Sequence, residues 1–134
     1  MVMTRFRRNT HGWTLIELTI VIALMTILST IALVGYRTAT TRTREAVLKE
    51  DLFRMRDAID QFHADQGIYP PGLDGLVSNG YLRSIPDDPF TGSAESWITV
   101  LAEVDPTEPL AQGIFDVRSG SSGTALDGTL YTEW

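Results

Sequence analysis

The chain has 134 residues, enough for one domain plus an anchor. It has no cysteine, which excludes a disulfide framework and any cysteine-based metal or redox site. Net charge is −6; without residues 1–12, which hold three arginines and no acid, eight basic residues face seventeen acidic ones, a balance of −9. So acidic a body argues against nucleic acid as a partner. It would suit cations, although an ordinary solvated surface gives the same charge.

The first twelve residues are short, polar and basic, with Arg5, Arg7 and Arg8. From Leu15 to Val34 the only charged residue is Glu17; the rest is Leu, Ile, Val, Ala, Met and a few Thr and Ser. A bilayer core of roughly 30 Å needs about 20 such residues at 1.5 Å each, so this stretch reads as a membrane-spanning helix. Arg37, Arg42 and Arg44 follow it. The leader arginines favour a cytoplasmic N-terminus; the downstream arginines weaken that bias, and the short leader keeps it. A secretory signal places its small-residue cleavage site after the apolar run. Here Gly12 stands before it, and Val34-Gly35-Tyr36 is a poor site of the usual kind. Two readings follow from spacing: cleavage at Gly12 that leaves the apolar helix as a new N-terminus, or an uncleaved anchor with basic flanks.

The run Gly12-Trp13-Thr14-Leu15-Ile16-Glu17-Leu18 closely resembles the class III signal of type IV pilins and type II secretion pseudopilins. The resemblance implies cleavage after Gly12 by a membrane prepilin peptidase and methylation of the new N-terminal residue, Trp13. That residue is usually Phe in the family; Trp keeps a large aromatic ring where a membrane interface suits it.

Glu17 has two readings. A carboxylate in hydrocarbon costs a few kcal/mol and is usually partnered. A shallow glutamate beside a positive helix N-terminus is tolerated by snorkelling. Alternatively, Glu17 lies four residues after the new amine on Trp13 and pairs with an amine, in its own chain or a neighbour's. The resemblance implies the amine of an adjacent subunit during assembly.

Beyond Gly35, Leu48, Leu52, Met55, Ile59 and Phe62 step by four and three, an apolar stripe on one helical face. Arg44, Glu45, Lys49, Glu50, Arg54, Asp57 and Asp60 fill the other faces, with Glu50–Arg54 and Arg54–Asp57 at pairing distance. The stripe suits packing on the domain's own core; a free-standing coiled coil would need more heptads. Gly67 reads as the residue just past the helix end, and Pro70-Pro71 cannot continue it. From Thr14 to Gln66 the helix would be roughly 80 Å long at 1.5 Å per residue. Many filament-forming pilins carry a proline near the position of Val34. This chain has none there, which puts a kink or melted segment in doubt.

Residues 67–95 form a turn-rich loop. Leu73 to Val77 suits a turn or two of helix, and Asn79-Gly80, Pro86-Asp87-Asp88-Pro89 and Thr91-Gly92 mark turns. The pieces Gly67-Ile68-Tyr69-Pro70, Gly72-Leu73-Asp74-Gly75-Leu76, Gly80-Tyr81-Leu82 and Ile85-Pro86-Asp87-Asp88-Pro89-Phe90, in that order, resemble the loop after the long helix in the major pseudopilin, or protein G, branch of type II secretion. Trp97-Ile98-Thr99-Val100-Leu101 and Ile114-Phe115-Asp116-Val117-Arg118 read as strands, with a loop through Asp105-Pro106, Glu108-Pro109 and Gly113 between them and a short strand near Leu130-Tyr131. Phe53, Phe62, Tyr81, Phe90, Trp97 and Phe115 are expected in the core. The fold class is α+β and pilin-like: a long N-terminal helix, transmembrane in its first half, laid on a small antiparallel sheet. The segments are a leader at 1–12, an assembly helix at 13–35 and a periplasmic domain at 36–134, with its helix at 36–66 and its sheet and C-terminal loop at 96–134.

Catalysis finds little support, and the chain reads as no enzyme. Only His11 and His63 are present, and His11 leaves with the leader. Gly120, Gly123 and Gly128 sit in a Ser-rich loop without Lys, unlike a phosphate-cradling loop. Asp87 and Asp88 are adjacent, without the cross-site geometry of an acid/base pair. Calcium is the one cofactor to weigh. The resemblance implies an ion in the C-terminal loop, here between Asp116 and Asp127, with serine and backbone oxygens completing the shell. This loop has fewer acids than the family usually shows, and Arg118 lies inside it. A hydrogen-bonded Gly/Ser turn is the other reading.

As the resemblance has it, the chain is a structural subunit of a type II secretion pseudopilus. It is anchored in the inner membrane with its body in the periplasm. Its partners are copies of itself, the prepilin peptidase, other pseudopilins, inner-membrane assembly proteins and lipid. The alternatives are a type IV pilus subunit and a monomeric anchored periplasmic binding domain.

Overall fold

The computed structural model describes residues 11–103 and 112–134, with side chains from residue 14 onward. The leader arginines, the Trp13 side chain and the Asp105-Pro106 and Glu108-Pro109 loop lie outside the described residues. In chain order the elements are α1 (His11–Gln66), α2 (Leu73–Ser78), β1 (Ile98–Leu101), β2 (Ile114–Arg118) and a 3₁₀ turn at Tyr131–Glu133. This is the α+β, pilin-like arrangement: a long N-terminal helix and a small antiparallel sheet. Two compact units divide the chain, one ending at Ala39 and the other running Thr40–Trp134.

The described residues of the first unit, from His11 onward, are helix. Its residues are good helix formers and β-branched residues without proline, and the backbone stays helical at Gly35. Its large apolar side chains face outward all round, from Leu15 at 67% exposed to Val34 at 64%. A helix apolar on every face needs an apolar surrounding.

In the second unit α1 changes character. Leu48, Leu52, Met55, Ile59 and Phe62 are all buried, joined by Ala58, and they form the spine of the core. Leu73 and Leu76 of α2, Trp97, Ile114, Val117, Ala125 and Tyr131 close over that stripe. The stripe therefore packs on its own domain. Helix α1 ends where Gly67 takes φ +72° and donates its N–H to the His63 carbonyl at 2.9 Å, a left-handed cap. His63 stacks on Tyr69, with ring centroids 4.2 Å apart.

Strands β1 and β2 pair antiparallel, with Thr99 opposite Val117 and Val100 opposite Asp116. Leu101 then pairs with Ile114, so the register slips and Phe115 is the extra residue of a bulge. The slip breaks the two-residue alternation. Ile114 and Val117 both reach the core, and Phe115 is turned outward at 54% exposed. The expectation of a buried Phe115 is corrected on that ground. Phe53 is corrected too, at 67% exposed. It follows Leu52 by one residue, and a step of about 100° carries it off the buried stripe. Phe62 and Trp97 are buried, and Tyr81 and Phe90 pack against the core from its margin.

The strand expected near Leu130-Tyr131 is a single bridge between Thr124 and Leu130. Gly128 at φ +90° reverses the chain between them, and the Tyr131 N–H goes to the Gly123 carbonyl at 3.1 Å. The tail pairs with itself across a tight turn, so no third strand joins β2. Gly120 has a stricter reason to be glycine: a Cβ there would run into the Ser96 carbonyl oxygen.

Urea unfolding of the detergent-solubilised protein checks this packing. Ile59→Ala should cost about 2–5 kcal/mol through an unfilled cavity, and Phe53→Ala should stay within about 0.5 kcal/mol. An equal cost for Phe53→Ala would contradict its outward placement.

Candidate functional site

Two sets of side chains carry chemistry, one in each unit. The first is at the start of α1. Gly12 and Trp13 lie within its first turn, and Glu17 follows one turn after Trp13. Glu17 is exposed, among Ile16, Ile20 and Val21. Its carboxylate has no hydrogen-bond or ion-pair partner among the described residues. Three threonines of the run are different. The hydroxyls of Thr19, Thr26 and Thr30 donate to the carbonyls of Leu15, Ile22 and Thr26, at 2.9, 2.8 and 2.8 Å. Each hydroxyl is satisfied within its own helix and presents a methyl group outward, as an apolar solvent demands. Glu17 is the charged group of the run, and its charge is left unanswered among the described residues. The helix is long and apolar enough to cross a membrane.

The second set joins the C-terminal segment to α1. Asp116 is half-buried; its Oδ1 accepts from Arg56 Nε at 2.7 Å, and its Oδ2 faces Arg118 Nε at 3.7 Å. Arg56 Nη2 also donates to the Val117 carbonyl at 3.0 Å. Asp127 is exposed, and its Oδ1 accepts from the Thr129 N–H at 3.0 Å and hydroxyl at 2.6 Å. These bonds hold the Asp127 carboxyl below the usual carboxylate range, the Thr129 hydroxyl contributing most. Asp116 and Asp127 thus each have their own partners, and no hydrogen bond joins them among the described residues.

Residues that sequence reasoning placed in a turn or on the outer helix faces, without a joining role, do most of the joining. Asp88 is fully buried. It accepts from the Ser119 hydroxyl at 2.5 Å and the Phe90 N–H at 2.8 Å. Glu45 Oε1 accepts from the Leu126 N–H at 2.8 Å and the Tyr131 hydroxyl at 3.1 Å. Lys49 Nζ stands 4.3 Å from the Trp134 ring centre. The available signal was spacing: Glu45, Lys49, Leu52 and Arg56 step by four, three and four, a second stripe beside the apolar one.

Burial and the Glu45 carboxylate push the Tyr131 phenol up to about 12 from 10.0. A raised acid stabilises the fold while protonated, so its contribution is whole below pH 10 and is lost as pH rises towards 12. Melting curves of the wild-type protein should fall through that window more steeply than those of Tyr131→Phe. Parallel curves would remove the phenol from the account.

Comparison with known proteins bears on the first set. Residues 7–33 match the family model described as the prokaryotic N-terminal methylation motif. Over 127 residues the chain is 28% identical to fimbrial protein EcpC of Eikenella corrodens, covering 91% of this chain and 80% of that protein. It is 26% identical over 102 residues to type II secretion system core protein G of Klebsiella michiganensis, 64% of this chain and 72% of that one. To the core protein G of Pseudomonas aeruginosa it is 28% identical over 100 residues, 63% and 70% respectively. No solved structure matches. With this motif ahead of an outward-facing apolar helix, the chain is prepilin-like, homologous to type II secretion protein G and to a fimbrial protein, and its fold is pilin-like.

Proposed function

We propose that this chain is a structural subunit of a type II secretion pseudopilus, without catalytic activity of its own. A prepilin peptidase removes residues 1–12 and methylates Trp13. The helix stays in the inner membrane, with its N-terminus on the cytoplasmic side and the body in the periplasm. Subunits then polymerise through α1, alongside other pseudopilins and inner-membrane assembly proteins, and the polymer supports protein export across the outer membrane.

The single observation that carries this reading is Glu17. It is the one ionic group in the apolar run, and it has no partner among the described residues. A lone acid at membrane depth is costly, and a partner offsets the cost. Cleavage after Gly12 frees an amine one turn before Glu17. Within a polymer, the Glu17 of one subunit then meets the amine of the next, and both charges are neutralised together.

A second reading within the same superfamily, a surface type IV pilus subunit, has an observation of its own. The match to the fimbrial protein covers 91% of this chain, against 64% and 63% for the two core G proteins. The protein G-like loop at 67–90 and the absence of cysteine favour the pseudopilus.

The test is cross-linking in native membranes, with a sheared extracellular fraction collected beside it. The wild-type protein should give a ladder of oligomers. Glu17→Ala should reach the membrane at the same level but lose the ladder at least about tenfold, since an unpaired amine left in hydrocarbon costs a few kcal/mol. A wild-type protein that stays monomeric would mean an anchored binding domain instead, and a ladder recovered from sheared surface material would mean a pilus.

A further inference from the structure

We propose that the C-terminal part of the chain, residues 116–134, is held on α1 without a metal ion, by a polar stripe of that helix in which Glu45 and Arg56 take the part a calcium ion would play. The inference concerns the body alone and does not depend on polymerisation.

Calcium takes six to eight oxygen ligands at about 2.3–2.6 Å. The residues implied for it are Asp116 and Asp127, and neither suits. Asp116 lies against two guanidinium groups, those of Arg56 and Arg118. Its Oδ1 also takes the Val117 N–H at 2.8 Å. A cation there would have to displace Arg56 and stand beside positive charge. Arg56 occupies the neighbouring Val117 carbonyl as well, so a second oxygen is spoken for. The exposed Asp127 is turned onto Thr129, which uses its Oδ1 twice. Among the described residues, no group of three or more histidines and acids is placed to hold an ion.

The polarity of the segment points the same way. A metal-binding loop turns oxygens inward. This segment turns hydrogens: the Ser119 hydroxyl to Asp88, the Leu126 N–H and Tyr131 hydroxyl to Glu45, and the Trp134 indole N–H to Thr129 Oγ1 at 2.7 Å. A cation entering among these groups would meet donors. For three of these four donors the acceptor is supplied from elsewhere in the fold, by Glu45 on α1 and Asp88 in the loop before β1.

One helix face provides the anchors. Glu45, Lys49, Leu52 and Arg56 succeed one another along α1, and three of them reach the C-terminal part of the chain directly. Glu45 takes two donors, Lys49 lies over the Trp134 ring, and Arg56 grips Asp116 and Val117 at the end of β2. Leu52 and Arg56 line a depression of about 300 Å³ with Asp127, Thr129 and Trp134. A protein anion and a protein cation on one helix thus do what an ion does in a loop: they cross-link segments distant in sequence, and Arg56 neutralises Asp116.

Arg118 is followed by no lysine or arginine through Trp134, so trypsin can release residues 119–134 as one peptide of known mass. Full-length protein in detergent is digested with trypsin in millimolar calcium and in excess EGTA, and the peptide is followed by mass spectrometry. Release should be slow and equal in both, and the melting temperatures should coincide. Glu45→Ala should release the peptide at least about tenfold faster in either condition, because two hydrogen bonds to a charged acceptor are gone. Glu45→Gln keeps an acceptor at the same place, so it should fall between and serves if Glu45→Ala does not accumulate. Faster release on chelation, or a melting temperature raised by calcium, would overturn the proposal. So would a Glu45→Ala variant as resistant as the wild type.

Discussion

A single carboxylate in an apolar helix governs the rest. Glu17 cannot be accommodated by hydration once α1 lies in hydrocarbon, and the described chain offers it nothing to bond. The threonines around it show what a self-sufficient polar group looks like in this setting, each hydroxyl closed onto the carbonyl one turn back. On the proposed function the isolated acid acts as half of a pair. In that proposal, processing at the methylation motif creates the other half, an amine one turn away in sequence and shared between subunits in a polymer. On the proposed function, chemistry at Gly12 and assembly at Glu17 are coupled, since an uncleaved chain has no amine at that depth.

The same helix organises the body by quite different means. In the second unit α1 presents an apolar stripe from Leu48 to Phe62 that builds the core, and a polar stripe from Glu45 to Arg56 that holds the C-terminal segment. A two-stranded sheet is marginal by itself. Here its buried residues, Ile114 and Val117, rest on the first stripe, and Asp116 between them is tied by Arg56 to the second. Burial supplies the energy, and the ion pair and hydrogen bonds fix which segment lies where. Removing one partner of such a bond leaves the other stranded, which makes this seam sensitive to single substitutions.

Much of this was legible in the sequence, because the signals were periodic or chemical. The apolar run, the stripe in steps of four and three, the glycine cap at Gly67 and the strand over 114–118 each follow from local rules and stand in the structure where they were read. Phe53 and Phe115 failed for a common reason: bulk alone was taken as a sign of burial. Helical phase puts Phe53 on the outside, and Phe115 is turned out by a bulge that depends on a pairing register set between distant strands. The terminal strand failed because Gly128 folds the tail back on itself. Arg56 and Asp88 were passed over because their partners, Asp116 and Ser119, are 60 and 31 residues away in sequence. Contacts of that span are written in tertiary structure; helical spacing puts Arg56 on the polar stripe but does not name its partner.

The measurement that reaches the centre of this account is the intact mass of the protein from native membranes, in a strain with an active prepilin peptidase. Loss of residues 1–12 together with one methyl group on Trp13 is the predicted result, since it creates the amine that Glu17 requires. A full-length, unmethylated chain would contradict the account, because Glu17 would then have no amine to meet.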